Sequence, residues 1–327
     1  MKQALLKFFL RCCVAAILSV VAVSSSLAID DPLSVTNLLK RMAEANRHLS
    51  YQGVFSYEYG GTLKTVKVLH AVREGQEVER IVHLSGPKKE VVRRGNDLKC
   101  QRLGDAILRG TTSGIANISR GHLENYYNLY VKGEDRVAGR TVIILHVVPK
   151  DPFRYGYALG IDKETGLLLQ SMLIGSNKRV LERFQFMDIS IGILIDDMAL
   201  EPTDTEHHMA SLEASPCLET IGSNSSAPMV HKWQASWVPP GFAMAGTHTS
   251  TETQRETQVF TDGLAVFSVF IDSDEAVNLP KIQAQRGATV AFLSHMDVEG
   301  RNYAICVVGE IPIEAAKQVA ESITRLQ

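Results

Sequence analysis

Apolar residues change their spacing, from intervals of three and four to intervals of two, along the first two hundred positions of this chain. Asp31-Pro32 has the form of a helix start, with an acidic N-cap followed by proline at the first helical position. Apolar residues then recur at intervals of three and four, which predicts a helix with one buried face. That face consists of Val35, Leu38, Leu39 and Met42.

From Tyr51 onward the period becomes two, which is typical of β-strands. The predicted strands, separated by short glycine-containing turns or longer breaks, are 54–59, 63–72, 76–84, 90–103, 140–148, 157–161, 167–174 and 180–191. Strands joined by turns this short are antiparallel neighbours. Residues 111–130 lack a clean period and predict loops or a short helix. The pattern predicts an α+β protein with a large antiparallel sheet, either curved or closed into a half-open β-barrel, and helices on its concave face.

A second folded segment follows a break in the pattern. Residues 206–229 are rich in Ser, Pro, Glu and Gly, which indicates a linker. Further strands are predicted at 258–261, 265–271, 288–296 and 303–308. Helical spacing near the end predicts a last helix with a stripe formed by Ile313, Ala316, Val319, Ala320 and Ile323. The predicted organisation is a large domain at 29–205, the linker, and a smaller α+β domain at 230–327.

The first 28 residues have the features of a cleaved signal peptide. Lys2, Lys7 and Arg11 precede an apolar run, and Ser26-Leu27-Ala28 supplies the small residues that a signal peptidase recognises. The run is shorter than the roughly 20 residues needed to span a bilayer. An uncleaved anchor helix is the alternative. Cleavage would place the mature chain outside the cytoplasm.

Charge distinguishes the two predicted domains. Residues 29–205 carry 24 basic and 22 acidic side chains, whereas residues 206–327 carry 7 and 14. The excess of acids argues against nucleic acid as a partner and makes the first domain the better candidate for an anionic surface. Three cysteines remain after cleavage. One pair could form a disulfide, or all three could be buried thiols: Cys100, Cys217 and Cys306.

The common catalytic motifs are missing from the sequence. It contains no G-x-S-x-G, H-E-x-x-H, C-x-x-C or phosphate-binding loop, so we predict neither an enzyme nor a metal or cofactor site. Tyrosine and arginine suit binding surfaces, although packing in the core is the alternative for each. The candidate partner- or ligand-binding residues are Arg154, Tyr155, Tyr157, Tyr51 and Phe55.

Several short motifs, in order along both domains, resemble those of the RseB/MucB family. In the large domain they are 51–57, 137–140, 149–157, 165–169 and 181–184, including Pro149-Lys150-Asp151 and Arg154-Tyr155-Gly156-Tyr157. In the small domain they are 237–242, 262–270 and 308–312, including Asp262-Gly263-Leu264-Ala265 and Val308-Gly309-Glu310. No single motif is decisive, but the set is specific. Cys217 departs from the pattern and puts any disulfide scheme in doubt.

The resemblance implies a periplasmic regulator of the envelope stress response with a large domain similar to LolA and LolB. Members bind the periplasmic part of a membrane-spanning anti-sigma factor, RseA or MucA, and protect it from site-1 proteolysis. Lipid, lipopolysaccharide or lipoprotein signals are thought to release them. A lipid or lipoprotein carrier without a regulatory partner is the alternative, and a secreted hydrolase is the third possibility. Whether the chain forms homo-oligomers stays open.

Overall fold

A computed structural model describes residues 34–94, 120–203, 232–250, 255–272 and 280–326. The predicted signal peptide, the predicted linker, Cys100 and Cys217 lie outside these ranges. Residues from Val35 onward belong to one compact unit. No helix within the described ranges is both long enough and apolar enough to cross a membrane.

Within the described residues, nine strands form an open antiparallel sheet, called here the N-terminal sheet. Their order across the sheet is β4-β3-β2-β1-β9-β8-β7-β6-β5, so consecutive strands pair as predicted, and β1 also pairs with β9. The strands are β1 (Tyr51–Tyr59), β2 (Thr62–Arg73), β3 (Gln76–His83), β4 (Glu90–Arg94), β5 (Tyr127–Val137), β6 (Arg140–Pro149), β7 (Gly156–Asp162), β8 (Leu168–Ile174) and β9 (Val180–Ile191).

Strand β5 is an edge strand that the hydrophobic pattern did not predict. It has a bulge between Val131 and Gly133, and most of its residues are exposed on both faces. Because neither face is consistently buried, the alternation that identifies a strand is lost. The predicted short helix in this region exists as α2 (Arg120–Tyr126), immediately before β5.

Helix α1 (Val35–His48) packs through its predicted stripe. Leu38 and Met42 are fully buried in a cluster with residues of β5, β6, β7 and β8, and Val35 and Leu39 pack against its rim. Burying two such side chains contributes on the order of 2–3 kcal/mol each. The predicted apolar stripe is therefore the face of α1 that packs against the N-terminal sheet.

A strap, residues 193–203, crosses β2, β3 and β4. It contains a 3-10 turn (Asp197–Leu200), and its Ile195 and Leu200 pack onto Leu69, Ala71 and Val78. Arginines of the sheet bind its backbone, as in the 2.7 Å hydrogen bond from Arg80 to the Ala199 carbonyl. The strap covers one face of the strands that lie farthest from β5.

Six further strands in the described ranges form the C-terminal sheet, in the order β11-β12-β13-β16-β15-β14. They are β11 (Ala243–Thr249), β12 (Glu256–Thr261), β13 (Val266–Asp272), β14 (Ile282–Arg286), β15 (Thr289–Val298) and β16 (Arg301–Gly309). Helix α3 (Ile313–Glu321) packs on β15 and β16, and β10 (Trp233–Ala235) pairs with β17 (Ile323–Arg325). The protein is thus mostly β, with open sheets and few helices in its described part.

One residue of the predicted last helix lies elsewhere. Ile323 follows the helix C-cap, Ser322, and enters β17, where it pairs with Ala235. It remains buried, which explains why its apolar character matched the helical stripe. The exposed strands β11 and β14 were also missed, for the same reason as β5.

Candidate functional site at the junction of the two sheets

The loop between β6 and β7 carries the first part of the site. Asp151 accepts a hydrogen bond from the backbone N–H of Phe153 at 3.0 Å, and its carboxylate also pairs with Arg154 at 3.0 Å. Phe153 then packs edge-on against Trp237 of the C-terminal part, with ring centroids 5.2 Å apart.

Arg154 forms a buried ion pair that joins the two sheets. Its Nη1 lies 2.6 Å from Oδ2 of Asp262, in the turn between β12 and β13, and both side chains are fully buried. Its Nη2 donates to the carbonyl of Pro240. The guanidinium also lies 4.9–5.3 Å from three ring centroids, those of Tyr126, Tyr127 and Phe242.

The Asp262 carboxylate has its full complement of hydrogen bonds. Oδ2 also accepts from the Tyr127 hydroxyl at 2.8 Å, and Oδ1 accepts from the backbone N–H groups of Leu264 and Ala265 at 3.0 and 2.8 Å. A buried charge pair is tolerated when its remaining hydrogen-bonding capacity is satisfied in this way. Burial and the nearby Asp262 raise the pKa of Tyr127 well above its usual value, so Tyr127 remains a donor.

The two tyrosines after Arg154 are also buried at the junction. The Tyr155 hydroxyl donates to the carbonyl of Ile311, at the end of the C-terminal sheet, at 3.0 Å. The Tyr157 hydroxyl finds no hydrogen-bond partner among the described residues. Both rings lie in a cluster that includes Ala288 of the C-terminal sheet. Burial raises the pKa of both phenols.

A second polar contact joins the sheets through Glu182 on β9. Its Oε2 accepts from the Tyr57 hydroxyl at 2.5 Å, and its Oε1 accepts from the backbone N–H of Ala288 at 2.9 Å. Glu310, just after β16, is 4% exposed in the same region. Burial, together with the charge of Glu182, raises the pKa of Glu310 to about 8.

The predicted site residues therefore separate into two groups. Arg154, Tyr155 and Tyr157 come together at the junction, but all three are buried rather than exposed as a binding surface requires. They face the other sheet instead of solvent, and their role in binding a partner or ligand stays a prediction.

Tyr51 and Phe55 lie in a different core cluster, on β1. Tyr51 stacks on His70 with ring centroids 4.9 Å apart, and Phe55 packs edge-on against Phe184 at the same distance. The sequence reasoning missed Asp262, Glu182 and Glu310 as site residues, although each lies within a motif that carried the family resemblance. These three residues could have been identified by asking which of the family motifs come together in space.

No group of three or more His, Cys, Asp or Glu side chains within the described ranges could hold a metal ion. Cys306, on β16, is a free thiol whose pKa is raised by burial. Arg154 and Asp262 neutralise each other across the two sheets. The arrangement fits positioning of the sheets better than acid–base chemistry on a substrate.

Two open sheets joined by buried polar contacts define a β protein with two lobes. One lobe contains the N-terminal sheet and the other contains the C-terminal sheet. Residues 34–204 match the sequence profile of the MucB/RseB N-terminal domain, and residues 227–324 match that of the C-terminal domain. MucB of Pseudomonas aeruginosa, a sigma factor AlgU regulatory protein, is 32% identical over 313 residues, which cover 93% of this chain and 94% of MucB. The chain belongs to the MucB/RseB family.

Solved structures of MucB resemble the present one. The crystal structure of MucB in complex with MucA(peri) matches with a TM-score of 0.71 and 32% identity, covering 89% of this chain and 99% of that one. A second MucA/MucB complex of Pseudomonas aeruginosa also gives 0.71, at 30% identity and the same coverage. The crystal structure described simply as MucB gives 0.60 at 30% identity, covering 89% and 98%.

Proposed function

We propose that this chain is a periplasmic negative regulator that binds the periplasmic region of a membrane-spanning anti-sigma factor of the MucA or RseA type. Binding would shield that region from site-1 proteolysis. The observation that carries the proposal is similarity to MucB over nearly the whole of both chains, including the MucB found in complex with the periplasmic part of MucA. Similarity of this extent covers both sheets and their junction.

The organisation that we propose follows the predicted boundaries. Residues 1–28 are a cleaved signal peptide, 29–205 form the lipid-sensing domain, 206–229 link the domains, and 230–327 bind the anti-sigma factor. The separate family profiles at 34–204 and 227–324 support a division in this region. Each open sheet lies inside one of the two matched ranges.

A binding test decides the main proposal. The mature chain, residues 29–327, is titrated with the purified periplasmic region of MucA and with the corresponding region of an anti-sigma factor recovered from envelope extract of the chain's own host. We expect saturable one-to-one binding and slower cleavage of the bound region by a site-1 protease. Absence of binding to both regions, by a chain whose circular dichroism shows folded β structure, contradicts the proposal.

Lipid-induced release is a further part of the proposal. The half-open barrel of the LolA/LolB type would take an acyl chain at the aromatic cluster that contains Tyr51 and Phe55, which is buried in this structure and would have to open to admit the chain. Phe55, Phe184 and Phe186 supply apolar contact there, with ring centroids 4.9–5.7 Å apart. Burial of an acyl chain contributes about 0.8 kcal/mol per CH₂, and each tenfold loss of partner affinity requires about 1.4 kcal/mol.

The lipid step has its own test. Affinity for the anti-sigma region is measured with and without lipid A and a synthetic lipopeptide, and we expect at least tenfold weaker binding at saturating lipid. Unchanged affinity contradicts lipid release but leaves partner binding intact. The alternative of a lipid carrier predicts that deletion of 230–327 leaves lipoprotein transfer unaffected. A regulator predicts loss of partner binding in the same variant.

A further inference from the structure

The contacts of Arg154 make it the most buried connection between the sheets. Its side chain starts in the loop between β6 and β7, pairs locally with Asp151, and ends on Asp262 and the Pro240 carbonyl of the other lobe. The ion pair joins residues 108 positions apart in the sequence. A guanidinium with fixed donors in several directions can set the relative orientation of two elements, which a single hydrogen bond cannot.

The solved relatives differ in how closely they resemble this structure. The two MucA/MucB complexes match this structure with a TM-score of 0.71, and the structure described as MucB matches with 0.60. All three cover the same 89% of this chain, at 30–32% identity. The present structure is thus more similar overall to MucB in the two complexes than to the third MucB structure.

We propose that Arg154 is a positioning residue that, through Asp262, holds the two sheets in the arrangement that binds the anti-sigma region. The inference rests on the proposed function and adds the residue that sets its binding geometry. Arg154 is 1% exposed, so it cannot contact a partner while the sheets are joined in this way. It acts by reducing the fraction of molecules whose lobes are misaligned, and apparent affinity scales with the aligned fraction.

The main variant is Arg154→Gln, which keeps polar character but removes the charge that pairs with Asp262. We expect at least tenfold weaker binding of the anti-sigma region and a broader distance distribution between spin labels placed on the two sheets. Lys163→Gln is the matched control, because Lys163 forms an exposed pair with Glu134 within one sheet. The control is expected to bind within twofold of the unchanged chain.

A tether separates positioning from other roles of Arg154. A Cβ atom added to Gly60, in the turn after β1, would lie 2.5 Å from Cγ of Arg286 on the C-terminal sheet. Because Cβ of Arg286 is one bond from this Cγ, the two Cβ atoms would lie no more than about 4 Å apart, which is within the range of a disulfide. The pair Gly60→Cys and Arg286→Cys, in a chain with the three other mature cysteines changed to serine, can therefore lock the junction.

The tether is introduced into the Arg154→Gln chain, and binding is measured before and after reduction. We expect the oxidised form to recover affinity to within threefold of the tethered parent with Arg154 intact, and the reduced form to lose it again. Failure of the oxidised form to recover overturns the inference, as does normal binding by Arg154→Gln itself. If the unchanged chain binds no anti-sigma region, the proposed function fails first, and the distance distributions still report whether Arg154 holds the sheets.

Discussion

The Arg154–Asp262 contact and the Glu182–Glu310 region both join the two sheets, yet they handle buried charge differently. At Asp262, opposite charges meet and every carboxylate lone pair has a donor. At Glu310, two carboxyl groups of like charge come near each other, and the neighbouring Tyr157 hydroxyl lacks a partner among the described residues. The first contact needs its charges, whereas the second is favoured when Glu310 holds a proton.

The largest expected effect comes from breaking the satisfied contact. Asp262→Asn leaves the Arg154 charge buried without its main counter-ion, so the free energy of unfolding should fall by about 3–5 kcal/mol. Chemical denaturation at pH 7 measures the change. Glu134→Gln, which removes a charge from an exposed pair with Lys163, should cost less than about 1 kcal/mol. Equal losses in the two variants would show that burial does not set the strength of the pair.

The Glu182–Glu310 region predicts that the stability of the folded protein depends on pH. The folded state keeps the proton on Glu310 up to about pH 8, whereas an unfolded chain loses it above about 4.5. Stability should therefore fall as pH rises from about 4.5 to 8, by up to about 5 kcal/mol from this group.

The variant Glu310→Gln tests that dependence. It removes the titration, so it should equal the unchanged chain near pH 5 and exceed it in stability near pH 8.5. Thermal unfolding across this range measures the slope. Glu321→Gln, at an exposed position of α3, is the control and should keep the original slope. A slope that survives in Glu310→Gln assigns the pH dependence to another group.

A smaller effect is expected where the β14–β15 turn approaches Glu182. Gly287 has φ of +61°, and an added Cβ would lie 2.6 Å from Oε1 of Glu182. Gly287→Ala should cost about 2 kcal/mol, because strain of the left-handed backbone and the contact add together. Gly75→Ala has a similar φ of +77° but open space around it, and should cost about 1 kcal/mol. The difference in denaturation midpoints isolates the interlobe contact.

The smallest effects distinguish the two tyrosines. Tyr155→Phe loses the hydrogen bond to Ile311 and should cost about 1 kcal/mol. Tyr157→Phe removes a buried hydroxyl without a partner among the described residues, so stability should be unchanged or slightly higher. Urea denaturation of both variants gives the comparison. A larger loss for Tyr157→Phe would indicate that its hydroxyl is bonded in solution.

The sequence predicted the parts of the fold that bury one face regularly. The stripe of α1 and the paired strands of the N-terminal sheet were confirmed because alternation records which side meets the core. Edge strands β5, β11 and β14 were not predicted, since their residues lie largely exposed on both sides. The alternation of apolar and polar residues therefore does not reveal a strand whose side chains are mostly exposed.

The junction could be predicted only in part, for a related reason. Arg154 and Tyr155 were identified as candidate binding residues, but their buried contacts are with Asp262 and Ile311, which are 108 and 156 positions away. A charged residue in a loop is exposed by default, and only a counter-ion brought in by the fold changes that. These contacts can be identified only from the folded structure, in which the two sheets are adjacent.

Strand β5 has a consequence for the solubility of the protein. In the described part of the chain it forms an outer edge of the N-terminal sheet, where unpaired backbone groups could recruit a strand from another copy. Such edge-to-edge pairing is opposed by its bulge and by four exposed charged side chains: Lys132, Glu134, Asp135 and Arg136. The polar residues that prevented the prediction of this strand thus also protect the chain against aggregation through its edge.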